Sequence, residues 1–519
     1  MSTPSSGSGL KTFTAVIAVI LGLVLLIGGI YLAVLGGSWY YIIAGLLFIA
    51  TAVLLQKLKS TALIVYALLV LGTVVWGLWE VGSDFFALAP RLDILGLFGL
   101  WLLIPAVTRG FDNAKSAKLV LTGSLAITIA VMIYAVFNDP QEIRGELSSK
   151  QPATAQSIPG VADGDWPAYG RTQSGLRYSP LTQINSENVK DLKVAWTYNT
   201  GDFKTENDSG ETTNQVTPIK VGDNMYICTT HQKLVALDPA TGKAKWTFDP
   251  KLKADNTFQH LTCRGVSYYD ANNTAGFETS LASKKSTSTE CPKKVILPVN
   301  DGRLVAINAD TGERCTDFGK NGEVDLQKDM PFPYPGGYIP TSPPVVTGTT
   351  IIIAGSTTDN YSTEEPSGVI RGYDVNTGAL LWVFDTGAED PNAIPAPGQK
   401  YVQNSPNAWA PLAYDAALDI VYIPTGVGTP DIWGGNRTEL HERYANSMLA
   451  LNASTGKLVW NFQTTHHDLW DMDVPSQPTL TDIKDKSGKM VPAIYVLTKT
   501  GNAFVLDRRT GAAIVPITE

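Results

Sequence analysis

Residues 234–246 read LVALDPATGKAKW, and the same pattern returns four more times along the chain. The later copies are LVAINADTGERCT (304–316), IRGYDVNTGALLW (370–382), MLALNASTGKLVW (448–460) and AFVLDRRTGAAIV (503–515). Each copy has an apolar strand, an Asp or Asn, two further residues, Thr-Gly and a second strand. Because an Asx side chain caps a turn and glycine readily adopts a positive φ, each copy is predicted to be a β-hairpin.

The spacing of these copies predicts the fold of the C-terminal part. Successive copies begin 55 to 78 residues apart, which leaves room for two more strands in each unit. Four-stranded units repeated around an axis form a β-propeller. Three of the five copies end on tryptophan at the same offset. The sequence therefore predicts an all-β propeller over residues 166–519.

The N-terminal part is predicted to be a transmembrane domain. Residues 12–56 carry no charged side chain, and this run is too long for one span of about 20 residues. The predicted spans are 12–35, 39–56, 61–80, 92–108 and 119–137. This gives five transmembrane helices within residues 1–140, followed by a polar linker at 141–165. It is not a cleavable signal peptide, because the apolar segments continue far beyond any cleavage site.

The loop charges predict the orientation of the spans. One side carries the cations Lys11, Lys57, Lys59, Arg109, Lys115 and Lys118, and the other side carries only Arg91. The positive-inside rule then places the N-terminus in the cytoplasm, and an odd number of spans places residues after 138 outside.

Net charge and cysteine usage agree with an exported domain. The formal charge of -8 and the lack of a Lys/Arg-rich run argue against nucleic-acid binding. All four cysteines follow the membrane part, where an oxidising compartment favours disulfides, although four buried free thiols are the alternative. Cys291 and Cys315 flank the turn at 300–302, so strand pairing can bring them together.

Residues 466–475, HHDLWDMDVP, are the strongest candidate for chemistry. Carboxylates this close repel one another, which can raise a pKa into the range of a general base. The alternative is a surface loop with solvated acids. A zinc site is not expected, because the two adjacent histidines lack i, i+4 spacing.

Long motifs resemble those of the membrane-bound quinoprotein glucose dehydrogenase family. They are DWPAYGRTQSGLRYSPLTQINSENVKDLKVAWTY (165–198), NSPNAWAPLAYD (404–415), GVGTPDIWGGNR (426–437), HHDLWDMDVPSQP (466–478) and LTKTGNAFVLDRRTG (497–511). The resemblance implies an eight-bladed propeller, pyrroloquinoline quinone (PQQ) with Mg or Ca, and oxidation of D-glucose or another aldose to the lactone. It also implies electron transfer to ubiquinone at a bacterial inner membrane, with the catalytic domain in the periplasm. With five repeats against eight blades, we expect a C-terminally truncated chain that alone holds PQQ poorly.

The resemblance also assigns residues to roles. Asp471 matches the base that takes the proton from the sugar C1 hydroxyl, with Asp468 and Asp473 as supporting or solvated acids. Lys499 matches the cation at the quinone oxygens, Trp409 the indole under the cofactor, and His260 a pocket histidine. For Trp409 and His260, structural roles in the propeller are the alternative.

The metal and quinone assignments depend on the same resemblance. Asp359, Asn360 and Thr429 are the candidate oxygen ligands, with Thr429 standing where soluble relatives have Asn, so the choice of ion stays open. Arg91 and Asp93 are read as an ion pair at the mouth of the fourth span, with Glu80 and Asp84 nearby. They could bind ubiquinone or merely anchor the helix.

Two other functions remain open. A quinate or shikimate dehydrogenase of the same family is the runner-up. A non-catalytic propeller scaffold of the cell envelope is the alternative of another class, but it has no use for the acids, the lysine and the tryptophan together.

Overall fold

The computed structural model describes residues 7–138, 140, 157–208, 211–252, 257–272, 291–485 and 487–517. It divides into two compact units, Met1–Pro152 and Ala153–Glu519. Most of the predicted linker, residues 141–156, lies outside the described residues.

Apolar helices make up the N-terminal unit. They are α1 Gly7–Val34, α2 Tyr40–Gln56, α3 Thr61–Val81, α4 Phe85–Leu102, the short α5 Pro105–Thr108 and α6 Ala114–Phe137. Four of them, α1, α3, α4 and α6, are long and apolar enough to cross a membrane, and α2, with 17 residues, is shorter. One helix therefore coincides with most of each of the five predicted spans.

The fourth span was predicted at the wrong place. Helix α4 begins at Phe85 rather than near residue 92, because Asp84 caps it by accepting a hydrogen bond from the Ala87 amide at 3.1 Å. It ends three residues before Pro105. The segment from Pro90 to Asp93 is therefore helical and does not form a loop at the mouth of the span.

The predicted pairing of Arg91 with Asp93 is also wrong. Residues two apart on a helix point in different directions, so these side chains do not face each other. Instead the Arg91 Nε atom donates to Glu80 of α3 at 3.0 Å.

The C-terminal unit is built from strands in consecutive antiparallel sheets, which we number as blades. The first blade is β2 Ile219–Val221, β3 Asn224–Cys228, β4 Leu234–Leu237 and β5 Ala244–Phe248. The second is β7 Ser267–Asp270, β8 Lys293–Val299, β9 Arg303–Asn308 and β10 Glu323–Asp325. The third is β12 Val345–Val346, β13 Thr350–Ile353, β15 Ile370–Asp374 and β16 Leu380–Phe384.

The fourth blade is β17 Ala413–Asp415, β18 Ile420–Pro424, β19 Ser447–Asn452 and β20 Leu458–Gln463. The fifth has three strands among the described residues, β21 Thr479–Lys484, β22 Met490–Leu497 and β23 Ala503–Asp507. Two small sheets join β1 Glu211–Thr212 to β6 His260–Leu261 and β11 Tyr338–Ile339 to β14 Ser356–Thr357. The 3-10 helix Val189–Asp191 and α7 Glu439–Arg443 lie in loops.

The inner strands of the blades are buried on both faces. In β9, Leu304 and Ala306 belong to the apolar cluster shared with the third blade, whereas Val305 and Ile307 belong to the cluster shared with the first blade. This alternation follows from the two-residue period of a strand. It explains why the repeats begin with nearly continuous apolar runs rather than with alternating apolar and polar residues.

Tryptophans connect neighbouring units at the Thr-Gly turns. Four of them pack on turn glycines, Trp196 on Gly242, Trp246 on Gly312, Trp382 on Gly456 and Trp460 on Gly511. A Cβ atom on Gly456 would lie 2.4 Å from the Trp382 ring, whose indole nitrogen donates to the Ala453 carbonyl at 3.0 Å. All of these glycines have a positive φ, as the turn chemistry predicted.

Two of the five predicted hairpins are incomplete. In the second repeat only a single bridge, Ile307 to Arg314, follows the turn, and β10 comes later in the chain. This repeat has Thr316 in place of tryptophan. The segment after it brings Gly319 and Val324 against Gly378, the turn glycine of the third repeat. In the fifth repeat the turn is likewise followed by one bridge, Leu506 to Ala513.

The cysteines form two disulfides. Cys291 pairs with Cys315, as their positions around the hairpin suggested, and Cys228 pairs with Cys263. The alternative of four free thiols is therefore wrong. Both bonds lie in the first two blades and the segment between them.

The packing of tryptophan on glycine predicts a difference between two Gly→Ala substitutions. Gly456 and Gly398 both have a positive φ, but a Cβ on Gly398 would meet nothing within 4 Å. Gly398→Ala should lower the free energy of unfolding by only about 1–2 kcal/mol, the cost of the left-handed backbone for alanine. Gly456→Ala should lower the free energy of unfolding by about 1–3 kcal/mol more than that, because its methyl group overlaps the Trp382 ring. Thermal unfolding of the detergent-solubilised protein, followed by tryptophan fluorescence, measures both. Equal losses would contradict the packing.

Candidate active site

Loops of the propeller unit surround a polar cavity of about 200 Å³. Its lining residues come from widely separated parts of the chain, namely Glu211, His260, Arg264, Ile339, Thr341, Ser356, Asp359, Asn407, Trp409, Val427, Asp431, Asp471, Asp473 and Lys499. Five of these side chains are carboxylates, and two, Arg264 and Lys499, are permanent cations. The cavity therefore carries an excess of negative charge.

The segment 466–475 has no regular structure, but it is not a loop of solvated acids. Asp468 is buried and accepts hydrogen bonds from the Trp470 and Met472 amides and from the Asn446 side chain. These bonds fold the segment back on itself and replace water around the carboxylate. Asp468 is therefore a supporting acid.

Asp473 links several elements of the site. Its buried carboxylate accepts from the Trp409 indole nitrogen at 2.9 Å, from Lys499 Nζ at 2.9 Å and from the Val427 amide at 3.2 Å. A Cβ on Gly426 would lie 2.5 Å from this carboxylate, so glycine lets the backbone approach it. One buried acid thus fixes the indole and the ammonium relative to each other.

Asp471 is more accessible to solvent than Asp473. Its side chain is 43% exposed, and its carboxylate accepts from Lys499 Nζ at 2.8 Å. Its backbone has a φ of 58°, a left-handed conformation that is uncommon for residues other than glycine. Partial burial, and then the charge of Asp473, raise the pKa of Asp471 to about 6, although Lys499 opposes the shift.

Two cations lie over the Trp409 ring. The guanidinium of Arg264 is 5.0 Å from the ring centroid, and Lys499 Nζ is 5.6 Å from it. Arg264 also donates to the Thr341 hydroxyl. The indole and these two cations form a surface suited to a flat, anionic molecule.

A second group of carboxylates surrounds His260. The His260 ring contacts Glu211 through Nδ1 and Asp359 through Nε2, both at 3.1 Å. The hydrogen bond with Asp359 is the largest cause of the raised pKa of His260. Burial, together with the charges of Asp359 and the other pocket acids, raises the pKa of Asp431 to about 9.

The three candidate metal ligands are placed differently. Asp359 lines the cavity. Asn360 is exposed, and its side-chain oxygen accepts from the Ile432 amide at 3.2 Å. Thr429 is fully buried, and its hydroxyl has no hydrogen-bond partner among the described residues. Neither Asn360 nor Thr429 lines the cavity.

The cavity thus brings together five of the predicted residues, Asp471, Lys499, Trp409, His260 and Asp359. Sequence reasoning did not find Asp431, Arg264, Asn407 or Glu211. Asn407 and Asp431 stand inside quoted motifs, Asp431 two residues after Thr429, and Arg264 stands four residues after the predicted His260. Glu211 has no such signal, since it lies far along the chain from the other acids.

Comparison with known proteins agrees with this fold. Residues 166–519 match the family model described as PQQ, glucose/ethanol/alcohol dehydrogenase, beta-propeller domain. Over its full length the chain is 73% identical to quinoprotein glucose dehydrogenase A of Acinetobacter calcoaceticus, covering 65% of that protein. Over 98% of its length it is 57% identical to quinoprotein glucose dehydrogenase of Escherichia coli (strain K12), covering 63%.

A solved structure shares the propeller. The quinohemoprotein alcohol dehydrogenase from Comamonas testosteroni superimposes with a TM-score of 0.52 at 26% identity, over 70% of this chain and 52% of that one. The chain therefore has the propeller fold of a quinoprotein dehydrogenase. It belongs to the PQQ-dependent glucose/ethanol/alcohol dehydrogenase family, with an N-terminal membrane domain, and it spans about two thirds of the length of the two curated relatives.

Proposed function

We propose that this chain carries the membrane anchor and the catalytic centre of a PQQ-dependent glucose dehydrogenase that oxidises D-glucose and other aldoses at C1 to the lactone. One observation carries the proposal. In a chain of this family, Asp471, whose pKa is raised, contacts Lys499 in a cavity that Trp409 also lines.

Asp471 is the proposed base. A pKa of about 6 keeps its carboxylate largely ionised at neutral pH yet basic enough to accept a proton from the C1 hydroxyl. Its side chain is 43% exposed, so a sugar hydroxyl can reach it. Asp473 is buried and already accepts three hydrogen bonds, which leaves it unsuited to this task.

Lys499 and Trp409 are the proposed cofactor contacts. PQQ is a flat quinone with three carboxylates and, when bound, supplies the two-electron acceptor for the sugar. The indole of Trp409 offers a flat surface, and Arg264 and Lys499 offer positive charge beside it. Lys499 also stabilises negative charge on an oxygen bound in the pocket. His260 lines the same cavity, as a residue near the substrate would.

A divalent cation is the proposed partner of the pocket acids. Even with the Asp431 carboxyl protonated, the other four carboxylates and an anionic cofactor outnumber the positive charges of Arg264 and Lys499. The side chains of Asp359 and Asp431 interact with each other, and the Asp431 Oδ1 atom is buried without a hydrogen-bond partner among the described residues. Oxygen ligands of this kind suit Mg or Ca. Asn360 and Thr429, which the sequence resemblance suggested, remain further candidate ligands of this cation.

Electrons are proposed to pass to ubiquinone in a bacterial inner membrane, with the propeller in the periplasm. The distribution of lysine and arginine around the apolar helices supports this orientation. Quinate or shikimate is the alternative substrate within the family. The identities of 73% and 57% to two glucose enzymes favour glucose.

The first prediction concerns the base. Asp471→Asn should hold PQQ to the same extent as the wild-type chain, but its kcat should fall about 10²–10⁴-fold, because general-base assistance is lost. Oxidation of glucose with a soluble dye as electron acceptor measures kcat. The same assay with a panel of substrates that includes quinate distinguishes glucose from the alternative substrates. Asp482→Asn, outside the pocket, is the control and should keep normal turnover. Near-normal turnover of Asp471→Asn would move the role to another acid.

The second prediction concerns pH. Activity should rise as pH increases through about 6, because Asp471 must be ionised to act as a base. The charge of Asp473 raises this pKa, so Asp473→Asn should lower it and move the acid limb of the kcat profile to lower pH. An acid limb that stays in place, in a variant with normal thermal stability, would show that Asp473 does not influence Asp471.

The third prediction concerns the cation. Adding Mg²⁺ or Ca²⁺ to the metal-depleted protein should raise its unfolding temperature, because a ligand that binds the native state stabilises it. Asp359→Ala and Asp431→Asn should each weaken this response. Asn360→Ala and Thr429→Val test the two further ligands. A rise of equal size in all four variants would place the cation elsewhere.

A further inference from the structure

One surface of the membrane unit collects cations from several helix ends. Helices α1 and α6 begin at this surface, and α2 and the short α5 end there. The cations lie within or directly beside these helix ends, and together they form what we call the cationic face, which consists of Lys11, Lys57, Lys59, Arg109, Lys115 and Lys118. Asp112 is the one acid that the described residues place among them. The face therefore carries a strong excess of positive charge.

Contacts of the loop before α6 hold these helix ends together. The Lys11 ammonium donates to the carbonyl of Arg109, so the start of α1 contacts the end of α5. The Asp112 carboxylate accepts from the Ser60 amide at 2.7 Å and pairs with the Lys59 ammonium at 3.5 Å. The connection between α2 and α3 therefore contacts the same loop. The six cations belong to one surface and not to separate loops.

The chain leaves most of this positive charge uncompensated. Lys59 is the one cation of the face with a carboxylate partner in the part of the chain that the structure describes. Lys115 and Lys118 lie three residues apart on α6, so they are neighbours on its surface and repel each other. The first turn of α6 contains no acid, and the helix dipole disfavours cations near that end. Negative charge from outside the chain would stabilise this arrangement.

Exposed apolar side chains adjoin the cations. Phe13 of α1, Leu58 after α2 and Leu119 of α6 are 55%, 42% and 74% exposed, and each is one or two residues from a cation. Both α1 and α6 are long and apolar enough to cross a membrane. A soluble anion gains nothing from these apolar groups. A phospholipid can contact the cations through its phosphate and the apolar side chains through its acyl chains.

We propose that the cationic face binds the head groups of anionic phospholipids in the adjacent membrane leaflet. Clusters of lysine and arginine beside membrane helices attract such lipids, and each cation adds to the affinity. The positive-inside rule explains why cations accumulate on one side of a membrane, but it does not require them to converge around one loop. The inference concerns the membrane unit and is independent of the proposed oxidation of sugars by the propeller unit.

Two lysines of α6 permit a selective test. Neither Lys115 nor Lys118 forms an ion pair with another described residue. Lys115→Gln/Lys118→Gln keeps the helix propensity and leaves four cations on this side of the membrane unit. The matched control is Lys190→Gln/Lys193→Gln, which removes two exposed lysines, also three residues apart, from the propeller unit. Lys115→Arg/Lys118→Arg keeps the charge and serves as the conservative variant.

The experiment uses the delipidated full chain in a non-ionic detergent. Native mass spectrometry measures the binding of phosphatidylglycerol and of phosphatidylcholine with identical acyl chains. The wild type should bind phosphatidylglycerol at least about tenfold more tightly than phosphatidylcholine. The double glutamine variant of α6 should bind phosphatidylglycerol about 10–30-fold more weakly than the wild type, because two cations are lost. The arginine variant and the propeller control should bind as the wild type does.

Thermal unfolding distinguishes a loss of binding from a loss of folding. Without lipid, the double glutamine variant of α6 should unfold at the temperature of the wild type or above it, because the repulsion between the two lysines is removed. Added phosphatidylglycerol should raise the unfolding temperature of the wild type more than that of this variant. A variant that unfolds at a lower temperature without lipid would show that the lysines serve folding, and would overturn the inference.

Four results of the binding experiment would also overturn it. They are equal affinity of the wild type for the two lipids, unchanged binding of phosphatidylglycerol by the double glutamine variant of α6, and an equal loss of binding in the propeller control. The fourth is displacement of the bound lipid by inorganic phosphate beyond the effect of chloride at the same ionic strength. That displacement would identify a site for soluble anions.

Discussion

The propeller unit depends on the burial of its inner strands on both faces. Each cluster of apolar side chains is shared by two consecutive blades, so no blade can shift its register without exposing apolar residues on one side or the other. The tryptophans that pack on turn glycines hold neighbouring sheets at a fixed distance. Segments that leave such a rigid framework can place side chains accurately, and the lining of the polar cavity comes from loops and from the two small sheets outside the blades.

Within the cavity, one buried carboxylate orders its neighbours. Asp473 fixes Trp409 and Lys499 by direct hydrogen bonds, and its charge contributes to the raised pKa of Asp471 two residues earlier. Two carboxylates of the same type thus acquire different properties, one holding the site together and the other free to exchange a proton.

The sequence predicted those features that are local or that belong to long motifs. The Asx-Thr-Gly template contains its own turn chemistry, so the turns could be predicted from the sequence. The incomplete second hairpin could not, because the segment after it packs against Gly378 of the third repeat, a contact that the sequence does not show. Asp471, Lys499 and Trp409 stand in motifs that resemble a family. Asp431 stands in a quoted motif and Arg264 stands close to His260, but their contacts are with residues far along the chain, which a sequence does not show. The partner of Arg91 was mispredicted because hydropathy located α4 seven residues late.

Two of the cavities among the described residues, one in each unit, have opposite chemistry. The propeller cavity has five carboxylates and two cations, an environment suited to polar and charged ligands and unsuited to a hydrocarbon chain. A cavity of the membrane unit is lined mainly by apolar and aromatic side chains of α2 and α3, and the stacked rings of Tyr40 and Trp76 lie there beside the ion pair of Glu80 and Arg91. It offers few partners to sugar hydroxyls. Because each environment disfavours the ligands of the other, the proposed electron donor, an aldose, and the proposed acceptor, a membrane quinone, call for separate sites. The uncharged residues 12–56 and the acid-rich C-terminal unit supply these two environments.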